Sequence, residues 1–212
     1  MGIQQKNIIK MIGVLNYGLG NINSISNIIK HVGGESRIIS KHDDIEGIKK
    51  LIIPGVGSFD HGMQGLHDGK WGELLNEMVN SESIKVLGIC LGMQLMCKSS
   101  EEGKLSGLGW IDAKVEKFSF QNHDNKKIPH MGWNTIDVVK KSNLFSPEQN
   151  KRFYFVHSYH VVCNDKKDIS TTTDYGFNVT ASFENKNVYG VQFHPEKSHR
   201  FGKELFKKFI SI

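Results

Sequence analysis

A run of apolar residues that stops at a cysteine between two glycines constrains the fold of this chain more than any other feature. The segment Val86-Leu87-Gly88-Ile89-Cys90-Leu91-Gly92 has the Gly-x-nucleophile-x-Gly form of a nucleophile elbow, with Cys in place of Ser. Glycines on both sides tolerate a backbone too tight for a Cβ atom. The pattern predicts a strand, a sharp turn and a helix, with the side chain of Cys90 exposed over the edge of a sheet.

The position of Cys90 also favours reactivity. At the start of a helix, the dipole and the free N–H groups favour a thiolate over a thiol. The N–H of Leu91 is then placed to stabilise a developing oxyanion. Most free cysteines are instead small buried hydrophobic residues, and we expect Cys97, two helical turns later, to be one of them.

Apolar runs alternate with helical patterns in the first half of the chain. Strands are predicted at 11–15, 37–39, 50–53 and 85–89, and helices at 22–32 and 71–79. Short runs rich in β-branched and aromatic residues predict further strands at 110–118, 135–139, 153–157, 179–183 and 188–193, before a last helix at 201–210. The sequence therefore predicts an α/β fold in which parallel strands come first and antiparallel strands follow.

His194 is the strongest candidate among the ten histidines for a base that serves Cys90. It follows an apolar strand and begins the tripeptide His194-Pro195-Glu196, which proline is expected to keep extended. In an extended segment, residues two apart point to the same side, so the carboxylate of Glu196 can bond the far nitrogen of the imidazole. Cys90, His194 and Glu196 thus supply a nucleophile, a base and an orienting acid.

Two other histidines are weaker candidates for this base. His157 also ends an apolar strand, but no carboxylate lies two residues away on either side. His130 precedes Met131-Gly132-Trp133-Asn134, which is expected to be a loop with an exposed tryptophan, and a contact role suits it better than catalysis.

The segment Pro54-Gly55-Val56-Gly57 follows the buried strand at 50–53. Proline ends the hydrogen-bonded ladder, and the two glycines free the backbone to expose its N–H groups. An ordinary exit from a strand to a loop would have the same composition, so this segment alone does not decide between the two.

Composition excludes several classes of protein. The net charge is +5, but 27 basic residues are scattered among 22 acidic ones, so we expect no nucleic-acid partner. No apolar run is long enough for a membrane helix or a signal peptide, which predicts a cytoplasmic protein without membrane contact. Three cysteines without C-x-x-C spacing argue against disulfides and against a zinc site. We expect neither metal nor cofactor.

Three of these motifs together resemble the class I (triad) glutamine amidotransferases: the elbow through Gln94, the Pro54–Gly57 segment and His194-Pro195-Glu196. Three further segments resemble more narrowly the glutaminase subunits of imidazole glycerol phosphate synthases, namely Pro129–Asn134, Phe155–Tyr159 and Tyr17–Asn21. The similarity runs from about Met11 to the C-terminus. It implies a flavodoxin-like mixed sheet with flanking helices, and a type-1 amidotransferase domain at 11–212 behind an N-terminal extension at 1–10.

The resemblance also implies an activity and a set of site residues. Cys90 would attack the side-chain amide of L-glutamine, release ammonia and leave a γ-glutamyl thioester that water hydrolyses. Oxyanion positions fall on Gly55, Val56, Gly57 and Leu91, and glutamine-binding positions fall on Gly92, Gln94, Ser158 and Tyr159. Positions at the subunit contact and ammonia gate fall on Asn21, Trp133, Tyr154 and Lys197.

In that family, ammonia passes into a (β/α)₈-barrel cyclase subunit that makes imidazole glycerol phosphate and AICAR in histidine biosynthesis. The resemblance therefore implies a heterodimer. The chain itself contains no G-x-x-x-x-G-K-[ST] loop that would hold a phosphorylated acceptor.

Two alternatives remain open at this point. Asn16, His160 and the stretch Gly107–Asp112 depart from the commonest form of the subunit and resemble a paralogous branch, which supplies ammonia for sugar amidination in surface polysaccharide biosynthesis. A cysteine peptidase-like hydrolase would also use an elbow cysteine and a histidine, but it would need neither Glu196 nor the Pro54–Gly57 segment.

Overall fold

The computed structural model describes residues 11–120, 126–146 and 151–212, so the predicted extension at 1–10 lies outside the described residues. Twelve strands lie in this part of the chain: β1 Met11–Leu15, β2 Glu35–Ile39, β3 Lys50–Ile53, β4 Lys85–Ile89, β5 Ser99–Ser100, β6 Ala113–Lys117, β7 His130–Val138, β8 Lys151–His157, β9 Tyr159–Cys163, β10 Ile169–Asp174, β11 Asn178–Asn185 and β12 Val188–Val191. The α-helices are α1 Ile22–His31, α2 Phe59–Asp68, α3 Trp71–Asn80, α4 Leu91–Leu95 and α5 His199–Ser211.

Nine strands form one mixed sheet in the order β2-β1-β3-β4-β12-β11-β10-β7-β8. The first five are parallel to one another, and the remaining four are joined by antiparallel pairings. The parallel part has the flavodoxin-like strand order. A small second sheet has the order β5-β6-β9. The predicted α/β fold with a mixed central sheet and flanking helices is confirmed.

The sheet is buried on both faces by two apolar clusters. Along β3, Leu51 and Ile53 point into one cluster and Ile52 into the other, because successive side chains alternate across a strand. The second cluster also contains Ile25 and Ile29 of α1, which lie one helical turn apart. This burial on both faces explains why the first strands are apolar without interruption.

Several predicted boundaries are wrong. The strand expected at 110–118 begins at Ala113, because the N–H groups of Leu108 and Ile111 bond the carbonyls of Leu95 and Met96 at the end of α4. His130 opens a nine-residue strand, not a loop. Helix α2 and strands β5, β9 and β10 were not predicted. In the described ranges no helix is long and apolar enough to cross a membrane.

Candidate active site

The predicted site lies at the ends of three neighbouring parallel strands. In the register, Ile53 of β3 lies beside Gly88 of β4, and Ile89 lies beside Val191 of β12. The three strands therefore end at the same edge of the sheet. The Pro54–Gly57 segment, Cys90 and His194 follow these ends, so segments that are far apart in sequence meet at one cleft.

The backbone at Cys90 has the strained conformation of an elbow. Its φ is +53° and its ψ is −109°, outside the regions that non-glycine residues ordinarily occupy. A Cβ on Gly88 would lie 2.6 Å from the carbonyl oxygen of Gly92, and a Cβ on Gly92 would lie 1.9 Å from that of Ile53. Both positions therefore require glycine, and Gly92 itself serves close packing of α4 against β3.

The expectation that Cys90 is exposed is wrong, because only 8% of its surface is accessible. Its N–H donates to the carbonyl of Val191 at 2.8 Å, and its thiol faces the carbonyl of Val156 at 3.9 Å. The elbow aims the side chain into a cleft between the sheet and the β8–β9 corner. Cys97 is fully buried in the core, as predicted, and burial raises the pKa of its thiol.

His194 and Glu196 are hydrogen-bonded, although the geometry differs from the prediction. His194 is extended, but Pro195–Lys197 forms a 3₁₀ turn, which brings Oε1 of Glu196 to 2.8 Å from Nδ1 of His194. Both side chains are only 2% exposed. Ser198 fixes the backbone of the histidine by donating its hydroxyl to the His194 carbonyl at 2.6 Å.

The other ring nitrogen of His194, Nε2, is the one available for proton transfer. Nε2 is buried and has no hydrogen-bond partner in the described part of the chain. Burial opposes a charge on this imidazole, but the side chains of Cys90 and Glu196 outweigh it and raise the pKa of His194 to about 10. His194 can therefore hold a proton at neutral pH beside the sulfur of Cys90.

The Pro54–Gly57 segment is an irregular loop between β3 and α2, which we call the 54–57 loop. Its first half is clamped: the hydroxyl of Tyr17 donates to the Pro54 carbonyl at 2.6 Å, and a Cβ on Gly55 would lie 2.6 Å from the amide nitrogen of Gly92. Its second half is free, since Val56 is 44% exposed and a Cβ on Gly57 would meet nothing within 4 Å.

A cleft of about 310 Å³ opens over Cys90. Nine predicted site residues line it: Val56, Gly57, Cys90, Leu91, Gln94, Ser158, Tyr159, His194 and Lys197. Gly55, Gly92, Glu196, Asn21, Trp133 and Tyr154 are not part of this lining. Four lining residues were not predicted, namely Glu102, Pro129, Val156 and His157.

Glu102 supplies a carboxylate to this cleft that sequence reasoning missed. Its Oε2 accepts the N–H of Phe59 at the start of α2, which anchors the carboxylate beside the 54–57 loop. In the sequence it is one of two consecutive glutamates in a polar stretch, and nothing distinguishes it from its neighbour Glu101.

Gln94 is bonded on both hydrogens of its amide. Its Nε2 donates to the carbonyl of Tyr159 at 3.1 Å and to Oε1 of Gln192 at 3.0 Å. Gln192, which sequence reasoning also missed, is fully buried, and its Nε2 lies 3.8 Å from the sulfur of Cys90. A polar residue between Val191 and Phe193 of a buried apolar run is the signal that points to it.

Both ring nitrogens of His157 are engaged, which removes it as the base for Cys90. Nδ1 lies 2.8 Å from the carbonyl of Tyr159, so it carries the hydrogen and donates. Nε2 must then accept from Nδ1 of His130 at 2.9 Å. Burial lowers the pKa of His157 to about 3 and that of His130 to about 4, so both rings stay neutral.

Three of the four residues assigned to the subunit contact lie together. Trp133 pairs with Tyr154 across β7 and β8, and Nζ of Lys197 lies 5.8 Å from the centre of the Tyr154 ring. Trp133 is 40% exposed and stacks on His199. Asn21 is exposed at the residue before α1, and no hydrogen bond joins its side chain to this helix.

Comparisons with known proteins agree on one family. The family model described as glutamine amidotransferase class-I matches residues 13–212. A Methanococcus maripaludis protein, imidazole glycerol phosphate synthase subunit HisH 2, is 49% identical over 94% of this chain and 98% of its own length. The Pseudomonas aeruginosa subunit HisH 2 is 45% identical over 95% of this chain and all of its own.

Solved structures show the same fold. The structure titled PurLQS from Thermotoga maritima has a TM-score of 0.73 at 19% sequence identity, covering 96% of this chain and 99% of that one. A chain described as a glutamine amidotransferase has a TM-score of 0.69 at 20% identity, covering 95% of this chain and 99% of its own.

Proposed function

The chain belongs to the class-I glutamine amidotransferases, and on that premise we propose that it is a glutaminase that converts L-glutamine to L-glutamate and ammonia for a cyclase partner. The observation that carries this proposal is the convergence of Cys90, His194 and Glu196 at one edge of the sheet. The hydrogen bond of 2.8 Å between His194 and Glu196 gives the imidazole the orientation that a base needs.

In the first half of the proposed reaction, the sulfur of Cys90 attacks the side-chain carbonyl carbon of glutamine as a thiolate, its proton having passed to Nε2 of His194. The carbon–nitrogen bond breaks when His194 returns that proton to the leaving nitrogen, and ammonia departs. A γ-glutamyl thioester on Cys90 remains. Glu196 acts through His194 by fixing the ring and stabilising its positive charge.

In the second half, His194 takes a proton from water, and the resulting hydroxide attacks the thioester carbon. Glutamate leaves and the sulfur is regenerated. In both halves, negative charge develops on the carbonyl oxygen, and we assign its stabilisation to the N–H groups of Leu91 and Val56. The clamped position of Gly55 against α4 supports this assignment, because it holds the 54–57 loop beside the elbow.

Recognition of glutamine needs groups for its ammonium and carboxylate ends. Glu102 is an anionic side chain in the lining and suits the ammonium. Ser158 and Tyr159 also line the cleft, and the Oε1 atom of Gln94 keeps acceptor capacity because only the nitrogen of that amide is engaged. Gly92 can contribute only backbone, since its Cα faces β3.

We propose that the partner is a (β/α)₈-barrel cyclase and that the ammonia is used to make imidazole glycerol phosphate and AICAR in histidine biosynthesis, in the cytoplasm. The names of the relatives support this acceptor. Trp133, Tyr154 and Lys197 supply the docking surface, because the exposed Trp133 and Lys197 and the half-buried Tyr154 stand together beside the cleft. Asn21 is assigned to the same contact.

The test is glutamate release from L-glutamine, by the chain alone and with the cyclase and its ribonucleotide substrate. We expect release that depends on Cys90 and increases with the partner. Formation of imidazole glycerol phosphate in the same mixture tests the acceptor: glutaminase activity that responds only to a sugar-amidinating partner would support the paralogous branch. Turnover of peptides in preference to glutamine would refute the proposal.

A further inference from the structure

A buried glutamine lies behind the sulfur of Cys90. Gln192 follows β12 and has no accessible surface. Its backbone N–H bonds the carbonyl of Ala181 in the ordinary pattern of the sheet, so the side chain alone makes it unusual. An amide at such a place destabilises the fold unless its hydrogen bonds are made. The two partners of this side chain, Gln94 and the sulfur of Cys90, are therefore informative about its role.

The direction of the amide is fixed by its neighbours. A backbone carbonyl only accepts hydrogen bonds, so the atom of Gln94 at 3.1 Å from the Tyr159 oxygen must be its nitrogen. The second hydrogen of that nitrogen points to Gln192 at 3.0 Å, which must present its oxygen there. Gln192 is left with its NH₂ group on the other side, where the sulfur of Cys90 lies at 3.8 Å.

Two groups thus face the sulfur, and they favour opposite protonation states of it. The carbonyl of Val156 at 3.9 Å can only accept, so it favours the protonated thiol. The amide of Gln192 donates, and a donor strengthens its bond when the sulfur becomes anionic. Because Gln192 is held from behind by Gln94, it also limits where the sulfur can sit.

We propose that Gln192 is a positioning residue, which holds the sulfur of Cys90 in its attacking orientation and favours its anionic form, while Gln94 fixes the direction of the Gln192 amide. This inference rests on the proposed role of Cys90 as the nucleophile. It also gives Gln94 a second task beside the binding of glutamine, since its nitrogen is committed to the network.

The experiment measures how the reactivity of the Cys90 sulfur depends on pH. Alkylation of Cys90 by iodoacetamide is followed by mass spectrometry of the Cys90 peptide between pH 5 and pH 10, without glutamine. The other titratable or charged groups around this sulfur are unchanged in the variants: His194, Glu196, Tyr17, His157, Glu102 and Lys197. The main variant is Gln192→Met, which keeps the length of the side chain and removes the donor.

We expect the midpoint of the alkylation profile to rise by about one pH unit in Gln192→Met, which lowers the alkylation rate about tenfold at pH values below the midpoint. For glutamate release, kcat should fall about tenfold while KM changes less than threefold. Gln94→Met should shift the alkylation midpoint in the same direction by less, because the Gln192 amide is then free to turn.

Ser182→Ala is the matched control. It removes a buried hydrogen bond of 2.7 Å to Thr171 in the neighbouring strand without touching Cys90, so it reports the effect of lost stability alone. If Gln192→Met and Ser182→Ala give the same alkylation profile as the unchanged chain, the inference is overturned and Gln192 is only structural.

If Gln192→Met does not fold, Gln192→Glu decides the matter. The glutamate side chain keeps the shape of glutamine and replaces the donor by a carboxylate, so the midpoint of the alkylation profile should rise by more than one pH unit. An unchanged midpoint overturns the inference. A chain that shows these shifts but releases no glutamate with any partner would refute the proposed function and leave the environment of the sulfur as inferred.

Discussion

The two sides of the cleft differ in how firmly they are held. On one side, which we call the fixed side, Cys90, Gln192, His194 and Glu196 are all buried, and hydrogen bonds join the imidazole to the carboxylate and the sulfur to the amide. On the other side, the 54–57 loop is clamped at Pro54 and Gly55, but Val56 and Gly57 extend into solvent.

This difference separates two requirements of the proposed reaction. Nucleophile, base and orienting acid need one geometry, and burial together with the hydrogen bond between His194 and Glu196 supplies it before glutamine binds. The N–H of Val56, which we propose as an oxyanion donor, belongs to the part of the cleft that has room to change. A rate that depends on a partner should therefore be controlled at the 54–57 loop and not at the fixed side.

The largest effect expected on the fixed side comes from Cys90→Ala. Without a nucleophile no thioester forms, so glutamate release should fall by a factor on the order of 10⁴ or more. Thermal unfolding should change little, since the substitution removes one atom at the wall of a cleft. Cys163→Ala, a second buried cysteine far from the elbow in sequence, is the control and should keep its activity. Normal release by Cys90→Ala would exclude the triad.

Glu196→Gln tests whether the fixed side works as a unit. The amide retains the shape but loses the charge that stabilises the imidazolium, so we expect kcat to fall about a thousandfold with little change in KM. The pKa of His194 should also fall toward its ordinary value, because Glu196 is one of the groups that raise it. Steady-state kinetics from pH 6 to pH 10 measures both effects. Equal changes in kcat and KM would assign Glu196 to substrate binding.

Much of the parallel half of the fold follows from the sequence, because buried strands such as β3 and β4 must be apolar throughout. Strand β10 could not be found this way. Its buried positions carry hydroxyls, and Thr171 and Thr173 bond Ser182 and the Thr135 carbonyl where apolar contacts would be expected. Helix α2 was missed because Gly62 and Gly65 interrupt its apolar periodicity. Glycine is nevertheless needed at position 65, because a Cβ there would lie 2.6 Å from the Tyr17 carbonyl.

The site was predictable where local chemistry determines it. The elbow glycines and the pair of His194 and Glu196 can be recognised from their spacing in the sequence. The pair is nevertheless brought together by a 3₁₀ turn and not by an extended segment. Glu102 and Gln192 enter through tertiary contacts, since Glu102 reaches the cleft by capping α2 and Gln192 by the pairing of β12 with β4. For Glu102 no local pattern carries that information, and for Gln192 the one local signal is a polar residue within a buried apolar run.

The 54–57 loop is tested by comparing the chain with and without its partner. We expect the lone chain to be a poor glutaminase, and docking of the barrel with its ligand to raise glutamate release about a hundredfold or more, the value of one oxyanion donor. Gly57→Ala should reduce this stimulation, because the φ of Gly57 is +104° and alanine resists it.

The controls for this prediction separate strain from docking. Gly33→Ala introduces a similar strain at a φ of +87° after α1, away from the cleft, and should keep the stimulation. Trp133→Ala should weaken the response to the partner, whereas Val139→Ala, an exposed side chain beyond the other end of the same strand, should not. Full activity in the lone chain would remove the distinction between the two sides of the cleft.

The smallest effect concerns the support of the fixed side. The pKa of His157 is lowered to about 3 by burial, whereas in the unfolded chain it is near 6.5. Below pH 6.5 the unfolded chain therefore binds a proton that the folded chain does not, so stability falls as the pH falls. Between pH 7 and pH 5 this amounts to about 2 kcal/mol.

His157→Gln should lose that part of the dependence, because glutamine can donate to the Tyr159 carbonyl and accept from His130 without titrating in this range. Urea unfolding at pH 7 and pH 5 measures it: the fall in the free energy of unfolding should be about 2 kcal/mol smaller in the variant than in the unchanged chain. His67→Gln, at an exposed side chain, should behave like the unchanged chain. If His157→Gln loses as much stability as the unchanged chain, the imidazole of His157 is free to take a proton in the folded state, and the wall behind Gln94 and Cys90 is not fixed.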